Sequence, residues 1–137
     1  MLPYDTLCLS KKSSSPNVIL VVEDDVSTAE TLALALSLET PHTIFLAATG
    51  REAVQTLQES TPHLILLDLH LPDMSGLAFY DGLRLFPEHA ETPVVFLSAS
   101  PSSEMVKEIA HRAGVVLEKP FDLTELLALV ARLLPAC

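Results

Sequence analysis

Five short apolar runs alternate with longer segments of helical periodicity between residues 17 and 134. The runs consist mainly of Val, Ile and Leu and end at polar residues, which is typical of buried strands. They span residues 17–22, 43–47, 63–68, 93–98 and 115–118. Apolar residues recur every three or four positions in the other segments, which predicts five helices. This alternation predicts right-handed βαβ units, and therefore a doubly wound α/β domain whose parallel sheet is covered on both faces.

Helix boundaries follow from capping residues and glycines. Capping boxes at residues 49–52 and 122–125 open the second and fifth helices. The first, third and fourth helices are predicted at residues 25–39, 75–86 and 102–114. Gly82 lies inside the third helix and weakens it, because glycine is a poor helix former.

Length and composition predict one domain. The 137 residues suit a single domain at 17–137, preceded by a polar, Ser-rich segment at 1–16 that we expect to be a flexible N-terminal extension. The cysteines, Cys8 and Cys137, are too few and too far apart for a disulfide framework, which favours free thiols in a reducing compartment. No apolar run has membrane-spanning length and no signal peptide is visible, so we expect a soluble, cytoplasmic protein with no membrane partner.

The charge balance argues against nucleic-acid binding. Eighteen acidic residues stand against eight basic ones, which gives a formal net charge of −10. Affinity for a phosphate backbone requires clustered Lys and Arg, and the only adjacent basic pair is Lys11 with Lys12. We therefore expect no nucleic-acid partner.

Polar side chains stand where four of the predicted strands end. Glu23 and Asp24 follow the first strand, Asp68 and Ser98 end the third and fourth, and Lys119 follows the fifth. The carboxyl ends of parallel strands lie at one edge of the sheet, so these groups should meet there.

Each of these residues also has a structural interpretation. The acids after the first strand can cap a helix, Asp68 can be a turn residue, and Ser98 and Lys119 can be solvated. Three crowded carboxylates repel one another, however, and Mg²⁺ relieves that repulsion. A carboxylate beside Mg²⁺ can attack phosphorus while a hydroxyl and an ammonium hold the phosphoryl oxygens. The pattern therefore predicts Mg²⁺-dependent phosphoryl transfer.

Four segments of the chain resemble the receiver domain of two-component response regulators. They are ILVVEDD (19–25), LILLDLHLPDMSGL (64–77), PVVFLSA (93–99) and EKPF (118–121), and they occur in the family's order. The resemblance covers about residues 17 to 134. It implies a flavodoxin-like three-layer (βα)5 sandwich with strand order 2-1-3-4-5.

The resemblance also assigns roles to residues. It implies that Asp68 is the phosphoacceptor and that Ser98 and Lys119 bind the phosphoryl group. It further implies a Mg²⁺ cofactor bound directly by Asp24, through water by Glu23, and also by Asp68 and the backbone carbonyl of His70.

Other residues of the pattern have structural or modulating roles. The resemblance implies a cis peptide bond between Lys119 and Pro120. We hypothesise that the side chains of His70 and Ser100 at the rim modulate water access to the phosphoryl group. A solvated loop histidine is an equally good interpretation of His70.

Two features depart from the family pattern. Position 116 carries Val where the family often has Tyr or Phe as a rotamer switch, so the usual output mechanism is in doubt. The stretch between Gly114 and Lys119 is short, so we expect a rearranged fourth helix and fifth strand.

The predicted function is that of a phosphorelay receiver and not of an enzyme in the usual sense, although self-catalysed phosphorylation and autophosphatase activity belong to the expectation. The expected partners are a histidine kinase or histidine phosphotransfer protein and a downstream protein, with a phosphorylation-dependent dimer left open. We expect a receiver that stands alone or is excised from a longer protein.

Two alternatives remain on the sequence alone. One is a haloacid-dehalogenase-like phosphohydrolase, which requires a second Asp where His70 stands. The other is a protein-interaction module of receiver fold that works without phosphorylation.

Overall fold

A computed structural model describes residues 17–99, 101–112 and 114–134. Within them the strands are β1 (Val18–Val22), β2 (Thr43–Ala47), β3 (Leu64–Asp68), β4 (Val94–Ser98) and β5 (Val115–Glu118). The helices are α1 (Val26–Glu39), α2 (Gly50–Glu59), α3 (Gly76–Leu83), α4 (Ser103–His111) and α5 (Leu123–Leu133), with a short 3₁₀ turn at Pro87–His89. The predicted flexible extension at 1–16 and both cysteines lie outside the described residues.

The five strands form one parallel sheet with the order β2-β1-β3-β4-β5. The predicted doubly wound fold and its strand order are therefore confirmed. β3 occupies the centre, where every residue from Leu64 to Asp68 is buried. Such burial on both faces explains why its sequence is an unbroken apolar run.

Two apolar cores cover the two faces of the sheet. Successive side chains of a strand point to opposite faces, so Ile19 and Val21 contribute to one core and Leu20 and Val22 to the other. The first core contains residues of α1 and α5, including Leu32 and Leu126. The second core contains residues of α2, α3 and α4. This gives the predicted three layers.

The edge strand β2 differs from our expectation of a sheet covered on both faces. Phe45 is 39% exposed and Leu46 is 44% exposed, although TIFLA looks as apolar as the central strands. Within the described residues β2 pairs only with β1, which leaves its other edge without a neighbouring strand. An apolar composition therefore did not distinguish an edge strand from a central one.

The helix ends also needed correction. α3 stops at Leu83 instead of residue 86, close to Gly82, and α4 stops at His111 instead of residue 114. The short stretch before Lys119 nevertheless forms a regular strand, with Val115 opposite Val95 and Glu118 opposite Ser98. β5 thus has an ordinary position at the sheet edge, and the expected rearrangement of this strand was wrong.

Side-chain caps determine where the helices begin. At all five starts a side-chain oxygen accepts a hydrogen bond from a backbone amide of the first turn. The capping residues are Asp25, Thr49, Ser75, Ser102 and Asp122. Among the described residues, no helix is both long enough and apolar enough to cross a bilayer.

Candidate functional site

The predicted site residues lie at the carboxyl edge of the sheet. Glu23 directly follows β1, Asp68 and Ser98 are the last residues of β3 and β4, and Lys119 directly follows β5. β1 and β4 both pair with β3, so their ends flank Asp68. The parallel topology therefore brings together groups that are far apart in the sequence, as we predicted.

Three carboxylates form a cluster at this edge. Glu23, Asp24 and Asp68 each offer one oxygen, and these oxygens lie within 4.8 Å of one another. Glu23 and Asp68 are buried, whereas Asp24 is exposed at the rim. Oxygen ligands of this kind suit a hard divalent cation such as Mg²⁺.

Lys119 supplies a positive charge to the two buried acids. Its Nζ lies 3.1 Å from Oδ2 of Asp68 and also donates a hydrogen bond to Oε1 of Glu23. Burial works against the charged ammonium, but the hydrogen bonds to Glu23 and Asp68 outweigh it and raise the pKa of Lys119. The ammonium therefore stays protonated between the carboxylates.

The two buried acids differ in how readily they ionise. Burial raises the pKa of Glu23 from 4.5 to about 7, and the neighbouring Asp68 adds to the rise. Burial also disfavours ionised Asp68, but its contacts with Glu23, the His70 amide and Lys119 outweigh this and lower its pKa. Asp68 is thus the group held as a carboxylate, and Glu23 is the group that a further cation would stabilise most.

Ser98 carries an unsatisfied buried hydroxyl. The residue is 1% exposed, and its Oγ has no hydrogen-bond partner within the described part of the chain. Its backbone carbonyl, in contrast, accepts a hydrogen bond of 2.7 Å from the Lys119 amide. Buried polar groups normally have partners, so this hydroxyl suits an oxygen-rich ligand held beside Asp68.

The loop after β3 orients the Asp68 carboxylate. The His70 amide donates to Oδ1 of Asp68 at 2.8 Å. Two bonds close the loop on itself, from Leu71 N to Met74 O and from Gly76 N to Leu69 O. Neither bond uses the His70 carbonyl, the oxygen to which the resemblance gave a ligand role. The His70 side chain is exposed.

Sequence reasoning gave no role to Gly76, which contacts the site directly. A Cβ atom at this position would lie 2.4 Å from the backbone oxygen of Asp68 and 2.8 Å from the Leu69 Cα. Only glycine allows the start of α3 to approach β3 so closely. A glycine directly after the capping residue Ser75 was the signal that could have revealed this.

Two of the remaining predicted residues, Val116 and Pro120, are among the described residues. The Lys119–Pro120 peptide bond is cis, which is the geometry that the resemblance implied. Val116 is half-buried in β5, where it lies opposite Phe96 of β4. Ser100 lies outside the described residues. The donor set consists of three carboxylates and the His70 carbonyl, and the Ser98 hydroxyl beside it has no partner among the described residues. This set fits Mg²⁺ together with a phosphoryl group.

Comparison with curated proteins gives transcriptional regulators among the relatives of this chain. The chain is 34% identical to the transcriptional regulatory protein KdpE of Mycobacterium tuberculosis, over 81% of this chain and 48% of KdpE. It is 37% identical to the cell cycle transcriptional regulator CtrA of Caulobacter vibrioides, over 80% of this chain and 47% of CtrA. The chain thus spans about half the length of these relatives.

Solved structures show the same fold. The chemotaxis protein CheY4 of Vibrio cholerae has a TM-score of 0.81 and 27% identity, and the match covers 88% of this chain and 100% of CheY4. The signal receiver domain of a signal transduction histidine kinase from Syntrophus aciditrophicus has a TM-score of 0.76 and 32% identity, over 86% of this chain and 89% of that one.

The family model for the response regulator receiver domain matches residues 19–131. This range includes β1 apart from its first residue, the other four strands in full and the whole carboxylate cluster. The phosphohydrolase alternative is not favoured by these matches. The chain belongs to the response regulator receiver domain family of two-component signalling proteins.

Proposed function

We propose that this chain accepts a phosphoryl group on Asp68 in a Mg²⁺-dependent reaction. The observation that carries the proposal is the environment of Asp68, whose buried carboxylate contacts Lys119 Nζ at 3.1 Å beside two further carboxylates. Ser98 follows Leu97, the residue opposite Asp68 in β4, and its hydroxyl has no hydrogen-bond partner among the described residues. A nucleophile, a cation and a free donor are the groups that phosphoryl transfer requires.

Each residue of the site has its own role in the proposed reaction. An Asp68 carboxylate oxygen forms the bond to phosphorus, while the bond from phosphorus to the donor's imidazole nitrogen breaks and its electron pair stays on that nitrogen. Lys119 and the Ser98 hydroxyl bind phosphoryl oxygens. Glu23, Asp24, Asp68 and the His70 carbonyl would hold Mg²⁺. When bound, the metal supplies charge neutralisation at the phosphoryl oxygens.

The partners are part of the proposal. A phosphohistidine on a histidine kinase or phosphotransfer protein is the donor, and a downstream protein recognises the phosphorylated form. We propose that the residues of this chain do not themselves contact nucleic acid, because their net charge is −10. The names of KdpE and CtrA describe those proteins, and this chain matches about half of each.

Labelling with a small phosphodonor tests the proposal. Acetyl phosphate with Mg²⁺ is expected to phosphorylate the wild-type chain, and chelation with EDTA is expected to prevent it. Asp68→Asn, which keeps the size of the side chain but removes its charge, is expected to remain unlabelled. Phosphate-affinity electrophoresis and mass spectrometry measure both results. Labelling that persists in Asp68→Asn, or that does not depend on Mg²⁺, would contradict the proposal.

A further inference from the structure

Asp73 connects the loop after β3 to the first turn of α2. Its Oδ1 accepts a hydrogen bond of 2.9 Å from the Gly50 amide, and its Oδ2 accepts one of 3.0 Å from the Arg51 amide. The bond from Gly50 contributes most to lowering the pKa of Asp73. A carboxylate at a helix start is favourable, so this contact holds the loop on α2.

The next residue of the loop packs against the same helix start. A Cβ atom at Gly50 would lie 2.6 Å from both Sδ and Cε of Met74. The thioether therefore fills the space that glycine leaves open at the start of α2. This contact is independent of the hydrogen bonds of Asp73, and both place the loop at the same position.

The other end of the loop holds the proposed phosphoacceptor. The His70 amide donates a hydrogen bond to Oδ1 of Asp68 at 2.8 Å. A further bond, from Leu71 N to Met74 O, closes the turn that contains Asp73. The loop is short and closed on itself, so a displacement at Asp73 also displaces His70. Both the orientation of Asp68 and the position of the His70 carbonyl therefore depend on the contacts of Asp73 and Met74 with the start of α2.

We propose that Asp73 is a positioning residue for phosphoryl transfer: by fixing the loop on α2 it sets the geometry of Asp68 and of the His70 carbonyl. This inference rests on the proposed function of Asp68. Coupling between two sites is reciprocal. A ligand that binds more tightly when Asp73 contacts α2 therefore also stabilises that contact. Occupation of the Asp68 site therefore changes the surroundings of the Gly50 and Arg51 amides.

Two capping variants of the same helix separate positioning from stability. Asp73→Ala removes the cap that comes from the loop. Thr49→Ala removes the cap that Thr49 Oγ provides to the Glu52 amide at 3.0 Å, without touching the loop. Both variants are expected to unfold at a lower urea concentration than wild type. Only Asp73→Ala is expected to lower the Mg²⁺ affinity and the rate of labelling by acetyl phosphate. The expected decrease is about tenfold, as for other substitutions of residues that orient a metal ligand.

A conservative variant and a wild-type measurement complete the test. Asp73→Asn keeps one of the two acceptor oxygens, so its Mg²⁺ affinity and labelling rate are expected to lie between those of wild type and Asp73→Ala. In the wild-type chain, Mg²⁺ with beryllofluoride is expected to shift the NMR signals of the Gly50 and Arg51 amides, and Asp68→Asn is expected to abolish that shift.

The outcomes distinguish this inference from the function on which it rests. If Asp73→Ala matches Thr49→Ala in Mg²⁺ affinity and labelling rate, or if both amide signals stay unchanged at saturation, Asp73 has no positioning role. If the wild-type chain neither binds Mg²⁺ nor becomes labelled, the proposed function fails and this inference fails with it.

Discussion

Two buried carboxylates of the site behave differently because their neighbours differ. Burial disfavours ionised Asp68, but its contact with Glu23 and the hydrogen bonds that it accepts from the His70 amide and Lys119 outweigh burial and lower its pKa. Glu23 is more completely removed from water and lies beside the ionised Asp68, and its pKa rises to about 7. Burial and the contact with Asp68 therefore make Glu23 hard to ionise without a further cation, and the hydrogen bond from Lys119 offsets this only in part.

This difference predicts how the stability of the metal-free chain depends on pH. The pKa of Glu23 is about 7 in the folded state and near 4.5 in the unfolded state. The folded state therefore holds this proton more tightly than the unfolded state does. Ionisation of Glu23 between those pH values lowers the free energy of unfolding by up to about 3 kcal/mol. Asp68 makes no contribution in this window, because its lowered pKa places its titration at more acidic pH. We expect the free energy of unfolding in EDTA to fall as pH rises from about 4.5 to about 7.

Urea denaturation across this pH range measures the effect, and Glu23→Gln is the control. The amide keeps the size of the side chain but does not titrate, so the variant is expected to lose this part of the pH dependence. Identical pH profiles for wild type and Glu23→Gln would show that burial does not raise the Glu23 pKa.

At the scale of elements, α3 joins the site to the rest of the second core. It begins against the backbone of Asp68 and contributes Phe79, Tyr80 and Leu83 to that core. Tyr80 donates a hydrogen bond of 2.9 Å to the Arg112 carbonyl, just after α4. Its ring lies 5.4 Å from the ring of Phe96, which is opposite Val116. The core next to Val116 thus contains aromatic rings even though position 116 carries none.

The two glycines of α3 predict opposite effects of the same substitution. Gly76→Ala would place a methyl group 2.4 Å from the Asp68 carbonyl oxygen, so we expect a loss of about 1–3 kcal/mol and slower labelling of Asp68. Apart from its chain neighbours and the backbone of its own helix, a Cβ atom at Gly82 meets no atom of the described residues within 4 Å. Gly82→Ala removes a poor helix former, so we expect a gain of about 0.5–1 kcal/mol with unchanged labelling.

Urea denaturation and acetyl phosphate labelling of both variants provide the measurements. Gly82→Ala serves as the matched control, since it makes the same chemical change in the same helix. Equal stability changes in the two variants would mean that the start of α3 is not in close contact with β3.

For the whole molecule, net charge opposes association between copies of the chain, whereas the edge of β2, which has no neighbouring strand among the described residues, favours it. A net charge of −10 keeps copies of the chain apart, and salt weakens that repulsion. The edge of β2 carries the partly exposed Phe45 and Leu46 and contains no charged residue or proline, the features that usually prevent edge-to-edge pairing. Association through β2 should therefore become visible when the charge is screened.

We expect Leu46→Lys to reduce the association of the chain at high salt and high protein concentration. A lysine on an edge strand opposes pairing with another strand. Leu85→Lys is the control, because Leu85 is 83% exposed outside β2 and the substitution changes the net charge equally. Sedimentation velocity over a concentration series measures both variants. A similar decrease in the two variants would indicate a general charge effect and not pairing through β2.

The sequence by itself determined the alternation of strands and helices, the parallel sheet and the set of groups at its carboxyl edge. It could do so because burial on both faces requires unbroken apolar strands, and polar residues that end such strands must then converge. The residues predicted for the site, Glu23, Asp24, Asp68, Ser98 and Lys119, lie at that edge for this reason.

Only the tertiary structure decided which residues touch across elements. The contact of Asp73 with the start of α2 depends on backbone positions that no local pattern specifies, and a glycine after the capping Ser75 does not by itself give the distance of Gly76 from Asp68. The exposure of β2 depends on its place in the strand order, and the raised pKa of Glu23 depends on packing around it. Distances between segments far apart in the chain set these properties, and local periodicity carries no information about such distances.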